Sequence, residues 1–421
     1  MDINLLLQGV DCSCGRRHTC AIDKVFIEHG AEGRLTSLCA KYTHILIVAD
    51  ENTYSAAGEK TEEALGGKKV SKVIFNGGKI LIPNEDATQT VEENLNGADL
   101  IVGIGSGVIQ DLCKYVSHRK GVDYMIVATA PSMDGYASSG AAMILNGMKE
   151  TVPAGVPKAI VADTEVLKDA PMDMICAGYG DIVGKFSALN DWRLSHAVNG
   201  EYFCDYIYSL THGITVKTLS LADGIKNRDE QSVGVLMEAL VTVGILMSFA
   251  GSSRPASGSE HHLSHFFEIT GIVDGKRYLP HGIDVAFSTV VTARIREKLL
   301  KSKFPPVRYT MEHADYAEKM RSIYKSVADG CMQLQDKVGN YSKDRTEIYL
   351  EKEDEIKKIL ADMPKSCEIQ KMLAAVGLNM NDFYGEYGIE RINNAVKYAK
   401  DLKDRYTVLW LNYDVNGGKY E

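Results

Sequence analysis

Five short apolar segments, separated by stretches of helical periodicity, occupy the first 165 residues of this 421-residue chain. The apolar segments are residues 44–49, 72–75, 100–103, 124–128 and 159–162. Apolar strands that alternate with helices are typical of a parallel sheet with both faces covered. The pattern therefore predicts a Rossmann-like α/β domain, with helices at 54–65 and 86–95 between the strands.

From about Pro171 the pattern changes, because strand-like runs give way to helical periodicity. The charged stretch at 351–360 is one example and has the pattern of a surface helix. The sequence therefore predicts two domains, a nucleotide-binding α/β domain at 1–168 and an all-α domain at 169–421. We expect the boundary in the polar turn at 169–173, and a small-molecule site in a cleft between the domains.

The composition excludes some classes of protein. A formal net charge of −9 argues against a general nucleic-acid binder, whose affinity depends on neutralising phosphates. No basic segment precedes the first apolar run, so we expect no signal peptide and a cytoplasmic protein. The most apolar stretch, 233–250, contains Glu238. An unpaired carboxylate in lipid is costly, so we expect a buried core helix there and no membrane span.

The chain has nine cysteines, which we expect to be reduced thiols because no secretion signal is visible. Cys12, Cys14 and Cys20 lie close to His18 in the sequence, so this cluster is a candidate zinc site. The spacing C-x-C-x5-C is not typical of a zinc ribbon or finger, however. Ordinary thiols are the favoured interpretation.

A strand, a glycine-rich turn and the start of a helix follow one another at residues 100–111. The turn contains Gly103, Gly105, Ser106 and Gly107. Glycines let the backbone approach a phosphate, and a helix N-terminus supplies unpaired N–H groups. Val108 replaces the third glycine of the Rossmann fingerprint, and the candidate ribose-binding acid, Asp50, precedes the glycines instead of following them. The pattern indicates a phosphate-binding loop, with a tight turn that binds no ligand as the alternative.

Small and hydroxylated residues follow the next strand, in the segment 129–138. Ligands of open α/β sheets bind at the carboxyl ends of the strands. Asp134 is therefore a candidate to hold a substrate hydroxyl. A polar loop that caps a helix explains the segment equally well.

One aspartate and several histidines form a candidate metal-binding set. Asp181 lies among glycines, which indicates an inward carboxylate on a closely packed helix; an N-cap is the alternative. Residues 257–268 contain three histidines, and His261 and His265 share a face if the segment is helical. His281 begins a later apolar helix. An Asp/His/His set suits Zn²⁺, Fe²⁺ or Ni²⁺ with one open position, but the spacing leaves open which histidine of the cluster is the ligand.

The chain resembles the superfamily of iron-type alcohol dehydrogenases, glycerol dehydrogenases and dehydroquinate synthases along nearly its whole length. The resemblance rests on GIGSGVIQD (103–111), ATAPSMDGYASSGAA (128–142), GYGDIVGK (178–185), SGSEHHLSH (257–265), LPHG (279–282) and RYTVLWL (405–411). It is strongest to the bacterial branch that reduces dihydroxyacetone phosphate to sn-glycerol 1-phosphate. One departure is Ile104, which interrupts the consecutive glycines of many relatives.

The resemblance implies a dehydroquinate synthase-like fold, a cofactor that is NAD(H) or NADP(H), and one divalent metal held by Asp181, His261 and His281. It implies that His265 lies nearby, and we expect it to act as a proton relay. The cofactor is expected on the 103–107 loop. Residues implied beside the cofactor are Asp50, Asp111, Thr129, Ser132 and Ser138, while Asp134 is implied to contact the substrate.

Two further expectations concern charge. Asp50 beside the ribose would repel a 2′-phosphate, which predicts a preference for NAD over NADP. The substrate phosphate needs cations or N–H donors, for which Lys185 and Arg254 are candidates, although both could be structural.

Other functions on the same scaffold are a glycerol or polyol dehydrogenase and a dehydroquinate synthase-like enzyme. Members of the latter branch usually carry Glu at the position of Asp181, which weighs against that alternative. A non-catalytic NAD-binding protein is the least favoured, because all three ligand positions are filled. A homodimer is expected from the resemblance.

Overall fold

The computed structural model describes residues 2–145, 148–305 and 313–420. The strands are β1 Val10–Asp11, β2 Arg17–His18, β3 Lys24–Glu28, β4 His44–Asp50, β5 Lys69–Phe75, β6 Leu100–Gly105, β7 Asp123–Ala128, β8 Gly140–Leu145, β9 Met148–Pro153 and β10 Ala159–Asp163. All ten precede the long helices of the second half, as the sequence predicts.

The helices of the first half alternate with the strands. They are α1 Ile3–Leu6, α2 Leu35–Leu38, α3 Glu51–Ala64, α4 Glu85–Glu93, α5 Gly107–Lys120 and α6 Thr164–Asp169. The remaining helices are α7 Met172–Asn199, α8 Asp205–Leu219, α9 Ala222–Lys226, α10 Glu230–Ala250, α11 Ser259–Asp274, α12 His281–Leu299, α13 His313–Tyr324, α14 Ala328–Val338, α15 Thr346–Glu351, α16 Glu353–Ala361, α17 Ser366–Ala375, α18 Met380–Tyr398 and α19 Val408–Asn416.

Six strands form a parallel sheet in the order β3-β10-β7-β6-β4-β5. Successive residues of a strand point to opposite faces. In β4, Ile45 and Ile47 join one apolar cluster, whereas Leu46 and Val48 join another. Both faces are therefore covered, which confirms the prediction from the continuous apolar runs.

The sequence patterns missed three features of the sheets. Strand β3 escaped prediction because only Val25 is fully buried in it and charged residues stand at both ends. The antiparallel hairpins β1–β2 and β8–β9 were also not predicted. Two-residue strands such as β1 and β2 are too short to show a period.

The chain divides into two compact units. Unit 1 comprises 1–182 and 220–252, and unit 2 comprises 183–219 and 253–421. Unit 1 thus holds the sheet together with the first residues of α7 and with α10. The predicted assignment of cofactor and metal binding to domains divided at residue 168 remains a prediction.

Helix α10 is the predicted buried helix. Among the described residues it is the one helix long and apolar enough to cross a membrane, and 83% of its most apolar window is buried inside the protein. It starts at the cap Asp229, which accepts a hydrogen bond from the Ser232 N–H, and stops at the left-handed Gly251. Its burial in unit 1 confirms the expectation of a core helix.

Candidate active site

The carboxyl ends of the parallel strands define one edge of the sheet in unit 1. After β5 the chain returns to the opposite side of β4, where β6 pairs with it. This reversal of strand order leaves a crevice between the ends of β4 and β6, the usual ligand position of open α/β sheets. Asp50 ends β4 and Gly105 ends β6.

The glycines of the β6–α5 turn differ in what surrounds them. A Cβ on Gly103 would lie 2.9 Å from Cys113 Sγ, and one on Gly105 would lie 2.7 Å from Ile109 Cβ. Both glycines are therefore required because α5 packs directly on the strand that precedes it. A Cβ on Gly107 would meet only Met133 Cε, at 3.9 Å. The N-terminus of α5 is thus less crowded, as a phosphate site requires.

Asp50 has a structural role of its own. Its Oδ1 accepts hydrogen bonds from the Asn52 N–H at 2.8 Å and the Thr53 N–H at 2.9 Å, and Thr53 Oγ1 accepts one from the Asp50 N–H at 3.1 Å. These contacts form a capping box at the start of α3. The ribose contact expected of Asp50 remains a prediction.

The segment 129–138 is fixed to its neighbours in unit 1. The Thr129 N–H donates to the Gly105 carbonyl at 3.1 Å, and the Asp134 N–H donates to Asp181 Oδ2 at 3.0 Å. A Cβ on Gly178 would overlap the Pro131 carbonyl, and one on Gly244 would lie 2.8 Å from the Asp134 carbonyl oxygen. Glycines in α7 and α10 therefore let both helices press on this loop, which confirms the close packing predicted around Asp181.

Lys114 is a positioning residue that sequence reasoning missed. Its ammonium group is fully buried and donates to the Gly135 carbonyl at 3.0 Å, the Ser138 hydroxyl at 3.3 Å and the Gly140 carbonyl at 2.9 Å. Asp111 Oδ1 lies 3.7 Å away. Burial lowers the pKa of Lys114, and nearby Asp111 opposes that shift. The only signal for this role in the sequence was a lysine within the segment that forms α5.

Ser132 lies in the same loop, and its N–H donates to the Ala130 carbonyl at 3.0 Å. The structure therefore groups the predicted cofactor residues of 103–111 and 129–138 at one edge of the sheet in unit 1. Their contacts to a cofactor remain predictions.

Three histidines come together in unit 2. His261 and His265 lie on α11 and His281 is the first residue of α12. The ring centroids are 5.2 Å apart for His261 and His281, 5.5 Å for His265 and His281, and 6.2 Å for His261 and His265. The predicted helical spacing of four residues is confirmed, since His261 and His265 lie on one face of α11. Asp181, the expected third ligand, is fully buried in the part of α7 that belongs to unit 1.

Two of the three rings have an oxygen atom within hydrogen-bond distance of Nδ1. His261 Nδ1 lies 2.7 Å from Glu260 Oε1, and His281 Nδ1 lies 3.2 Å from Ser264 Oγ. When the oxygen accepts a hydrogen bond from Nδ1–H, the lone pair of the ring lies on Nε2, as in metal-ligating histidines. Imidazole donors of this kind have the chemistry that Zn²⁺, Ni²⁺ or Fe²⁺ accepts. Metal ligation by these rings remains a prediction. The one signal for these roles of Glu260 and Ser264 was their position beside the histidines in the sequence.

His262 faces a different environment. Its ring is fully buried, and neither nitrogen has a hydrogen-bond partner among the described residues. Burial, reinforced by nearby cationic side chains, holds the pKa of His262 well below its usual value. It is a neutral core residue, and no ring contact joins it to the cluster of His261, His265 and His281 among the described residues.

The two candidate phosphate-binding cations are both buried in unit 2. Arg254 Nε and Nη2 donate to Glu201 at 2.7 and 2.5 Å, and Nη1 donates to the Tyr406 carbonyl at 3.0 Å. Lys185 Nζ donates to the Ala256 carbonyl at 3.1 Å. These contacts favour the structural alternative for Arg254 in particular.

Comparison with known proteins identifies the class. Residues 26–171 match the family profile described as iron-containing alcohol dehydrogenase. Two solved structures share the fold: an alcohol dehydrogenase from Oenococcus oeni, with a TM-score of 0.60 at 14% identity over 92% of this chain and 94% of that one, and a glycerol dehydrogenase from Schizosaccharomyces pombe, with a TM-score of 0.54 at 17% identity over 87% and 92%. The chain is an NAD(P)-dependent oxidoreductase acting on CH–OH groups.

The curated relatives narrow the class to one family. Glycerol-1-phosphate dehydrogenase (NAD(P)+) of Geobacillus thermodenitrificans is 33% identical over 68% of this chain and 73% of its own length. The enzyme of the same name from Halalkalibacterium halodurans is 29% identical over 95% of this chain and 94% of its own length. The chain belongs to the glycerol-1-phosphate dehydrogenase (NAD(P)+) family. A nucleotide cofactor and a metal follow from this membership.

Proposed function

We propose that this enzyme reduces dihydroxyacetone phosphate with NAD(P)H to give sn-glycerol 1-phosphate and NAD(P)+. The family relationship supports the substrate. The observation in this structure that carries the proposal is the pair of histidines, His261 and His281, each with its Nδ1 engaged by an oxygen atom. A ketone reductase of this kind requires an electrophile for the carbonyl oxygen, and these rings have the chemistry to hold one.

The proposed metal ligands are Asp181, His261 and His281, with Zn²⁺, Ni²⁺ or Fe²⁺ as the ion. The oxygen atom beside Nδ1 of each ring supports their assignment. A bound divalent ion would supply Lewis acidity toward the ketone oxygen. Glu260 would keep the His261 ring oriented, and Ser264 would do the same for His281.

The proposed cofactor site is the edge of the sheet in unit 1. The N-terminus of α5, with Gly105, Ser106 and Gly107 before or at its first turn, would bind the pyrophosphate through backbone N–H groups. Thr129, Ser132 and Ser138 would lie beside the cofactor, on the loop that Lys114 holds. A reduced nicotinamide supplies the hydride. Asp50 would favour NAD over NADP by repelling a 2′-phosphate.

Proton transfer and substrate orientation are assigned to two further side chains. His265 is half-buried in the histidine cluster. We assign it the role of donating the proton that the product hydroxyl gains. Asp134 would accept a hydrogen bond from a substrate hydroxyl, because its backbone is fixed through the N–H to Asp181. Lys185 is the preferred candidate for the substrate phosphate, since Arg254 already pairs with Glu201.

The test is an assay of NAD(P)H consumption by the purified enzyme, with dihydroxyacetone phosphate and with dihydroxyacetone, each before and after treatment with a chelator. We expect a much higher kcat/KM for the phosphorylated ketone and loss of activity with the chelator. A coupled assay with a dehydrogenase specific for sn-glycerol 3-phosphate should detect none of that isomer.

Equal kcat/KM values for the two ketones would overturn the proposal in favour of a polyol dehydrogenase on the same scaffold. Consumption of dihydroxyacetone phosphate at full rate without any metal would also contradict it. Homodimerisation and a cytoplasmic location complete the proposal, and size measurement in solution tests the former.

A further inference from the structure

We propose a second metal site, in which the β1–β2 hairpin holds a zinc ion through Cys12, Cys14 and His18. The two Sγ atoms and a ring nitrogen of His18 lie within 4.8 Å of one another. These residues are separate from the histidines of α11 and α12 that the catalytic proposal uses. Two sulfurs and one imidazole suit Zn²⁺ far better than Mg²⁺ or Ca²⁺, which prefer oxygen ligands.

The ring of His18 is held as a metal ligand would be. It is only 1% exposed, and its Nδ1 lies 3.1 Å from the carbonyl oxygen of Phe249, on α10 of the same unit. The ring also stacks on the Phe249 side chain, with centroids 5.4 Å apart and planes at 12°. An Nδ1–H that donates to this carbonyl leaves the lone pair on Nε2, the arrangement found in zinc-binding histidines.

The distance from His18 Nε2 to Cys14 Sγ is 3.5 Å. Tetrahedral zinc with ordinary Zn–S and Zn–N bond lengths separates a sulfur and a nitrogen ligand by about 3.6 Å. The two atoms therefore already stand at the spacing of two corners of the tetrahedron. Only small side-chain rotations are needed for both to reach one ion.

The backbone of the hairpin sets the spacing of the three residues. Val10 pairs with His18 and Asp11 with Arg17, and the Cys12 N–H donates to the Arg16 carbonyl at 3.1 Å. Gly15 has a φ of 82°, which few other residues adopt, and its N–H donates to the Cys12 carbonyl at 3.0 Å. The tight turn thus brings Cys12 and Cys14 back toward the ring of His18.

The structure changes the sequence interpretation of this cluster. The sequence pattern grouped Cys12, Cys14 and Cys20 with His18, but among the described residues Cys20 is not part of the group whose ligand atoms lie together. The relevant spacing is therefore C-x-C-x3-H. Zinc binding would displace the two thiol protons to solvent, and the ion would tie the hairpin to α10 through His18 and Phe249. A structural zinc takes four ligands, so water or a further thiolate must supply the fourth.

The experiment loads the full-length protein with Co²⁺ and records the absorption that thiolate-to-cobalt charge transfer produces. We expect this band in the wild type, its loss in the Cys12→Ser/Cys14→Ser double variant, and its retention in Cys367→Ser, which removes an exposed cysteine. His281→Ala should keep the band, so failure of the catalytic proposal would not affect this result. His18→Phe keeps a stacked ring and should weaken the band.

Metal analysis of the zinc-loaded protein provides the second readout. We expect the double variant to hold one equivalent less than the wild type while its kcat changes less than twofold. An absent band in the wild type, an unchanged band in the double variant, or a Cys12–Cys14 disulfide in the freshly purified protein would overturn the proposal.

Discussion

The glycine turn of unit 1 and the histidine pair of unit 2 are sites built in two different ways. At the turn, Gly103 and Gly105 have no space for a Cβ, and the groups offered to a ligand are backbone N–H groups at the start of α5. On α11 and α12, His261 and His281 offer ring nitrogens whose orientation depends on neighbouring oxygen atoms.

This difference determines how each site should respond to substitution. A backbone site depends on chain geometry, so a side chain that does not fit damages the fold as well as binding. A side chain that fits leaves the fold intact but stands between the ligand and the backbone N–H groups. A side-chain site depends on particular atoms. Removing one of them should abolish chemistry while leaving the packing of the helices nearly intact.

The largest expected effect is on the side-chain site. His281→Ala should lower kcat/KM by about 1000-fold, about 4 kcal/mol of transition-state stabilisation, because a ligand for the activating metal is lost. Kinetics and bound-metal analysis measure this, and thermal unfolding should show little change in Tm. The matched control is His212→Ala, an exposed histidine of α8 in the same unit. Full activity of the His281 variant would contradict its assignment as a metal ligand.

At the backbone site the two glycine positions should separate folding from binding. Gly103→Ala should reduce the free energy of unfolding by about 1–3 kcal/mol, because its Cβ would meet Cys113 Sγ at 2.9 Å. Gly107→Ala has space and better helix propensity, so it should not lower stability. It should nevertheless raise KM for the cofactor by about tenfold, about 1.4 kcal/mol.

Denaturant unfolding and cofactor titration measure the two variants side by side. An unchanged KM in Gly107→Ala would argue that the pyrophosphate does not approach this turn.

Glu32 and Asp163 form a carboxylate pair near the ends of β3 and β10, outside the proposed cofactor site. We expect this pair to affect stability and not catalysis. Burial, with nearby Asp163, raises the pKa of Glu32 from 4.5 to about 7. A raised pKa means that the folded state holds the proton more tightly than the unfolded state does. Protonated Glu32 therefore contributes to the free energy of unfolding in full below pH 4.5, and this contribution is lost as the pH rises through about 7.

In the wild type, the free energy of unfolding should therefore fall by on the order of 1–2 kcal/mol between pH 4.5 and about 7. In Glu32→Gln, which cannot ionise, this fall should be absent. Unfolding at a series of pH values, with Glu93→Gln on the exposed part of α4 as the control, measures it. An identical pH profile in wild type and variant would contradict the assignment.

The smallest expected effect concerns Asp50, which combines a cap with a proposed ribose contact. Asp50→Ser keeps an N-cap side chain and removes the charge, so the ratio of kcat/KM for NADPH to that for NADH should rise about fivefold, about 1 kcal/mol. Asp50→Ala should show the same change in preference and also lose about 1 kcal/mol of stability. An unchanged ratio in both variants would leave Asp50 as a cap alone.

Several features of the molecule followed from the sequence by itself. The apolar runs predicted five of the six strands of the main sheet. Four of them, β4, β6, β7 and β10, are buried on both faces and must be apolar at nearly every position. The fifth, the edge strand β5, is mostly exposed or half-buried and was predicted from a shorter apolar run. The spacing of His261 and His265 predicted a shared helix face, and glycines around Asp181 predicted close packing. Local periodicity and residue size are properties that a sequence displays directly.

Other features depended on which side chains meet in the folded chain. Lys114 holds the 129–138 loop, Glu260 and Ser264 orient the histidine rings, and Arg254 pairs with Glu201. The zinc site that we propose depends on the Phe249 carbonyl, which fixes the tautomer of His18 from 231 residues away. A sequence states which donors and acceptors exist, but only the tertiary structure decides which of them meet, because hydrogen bonds and metal ligation depend on distances of a few ångströms.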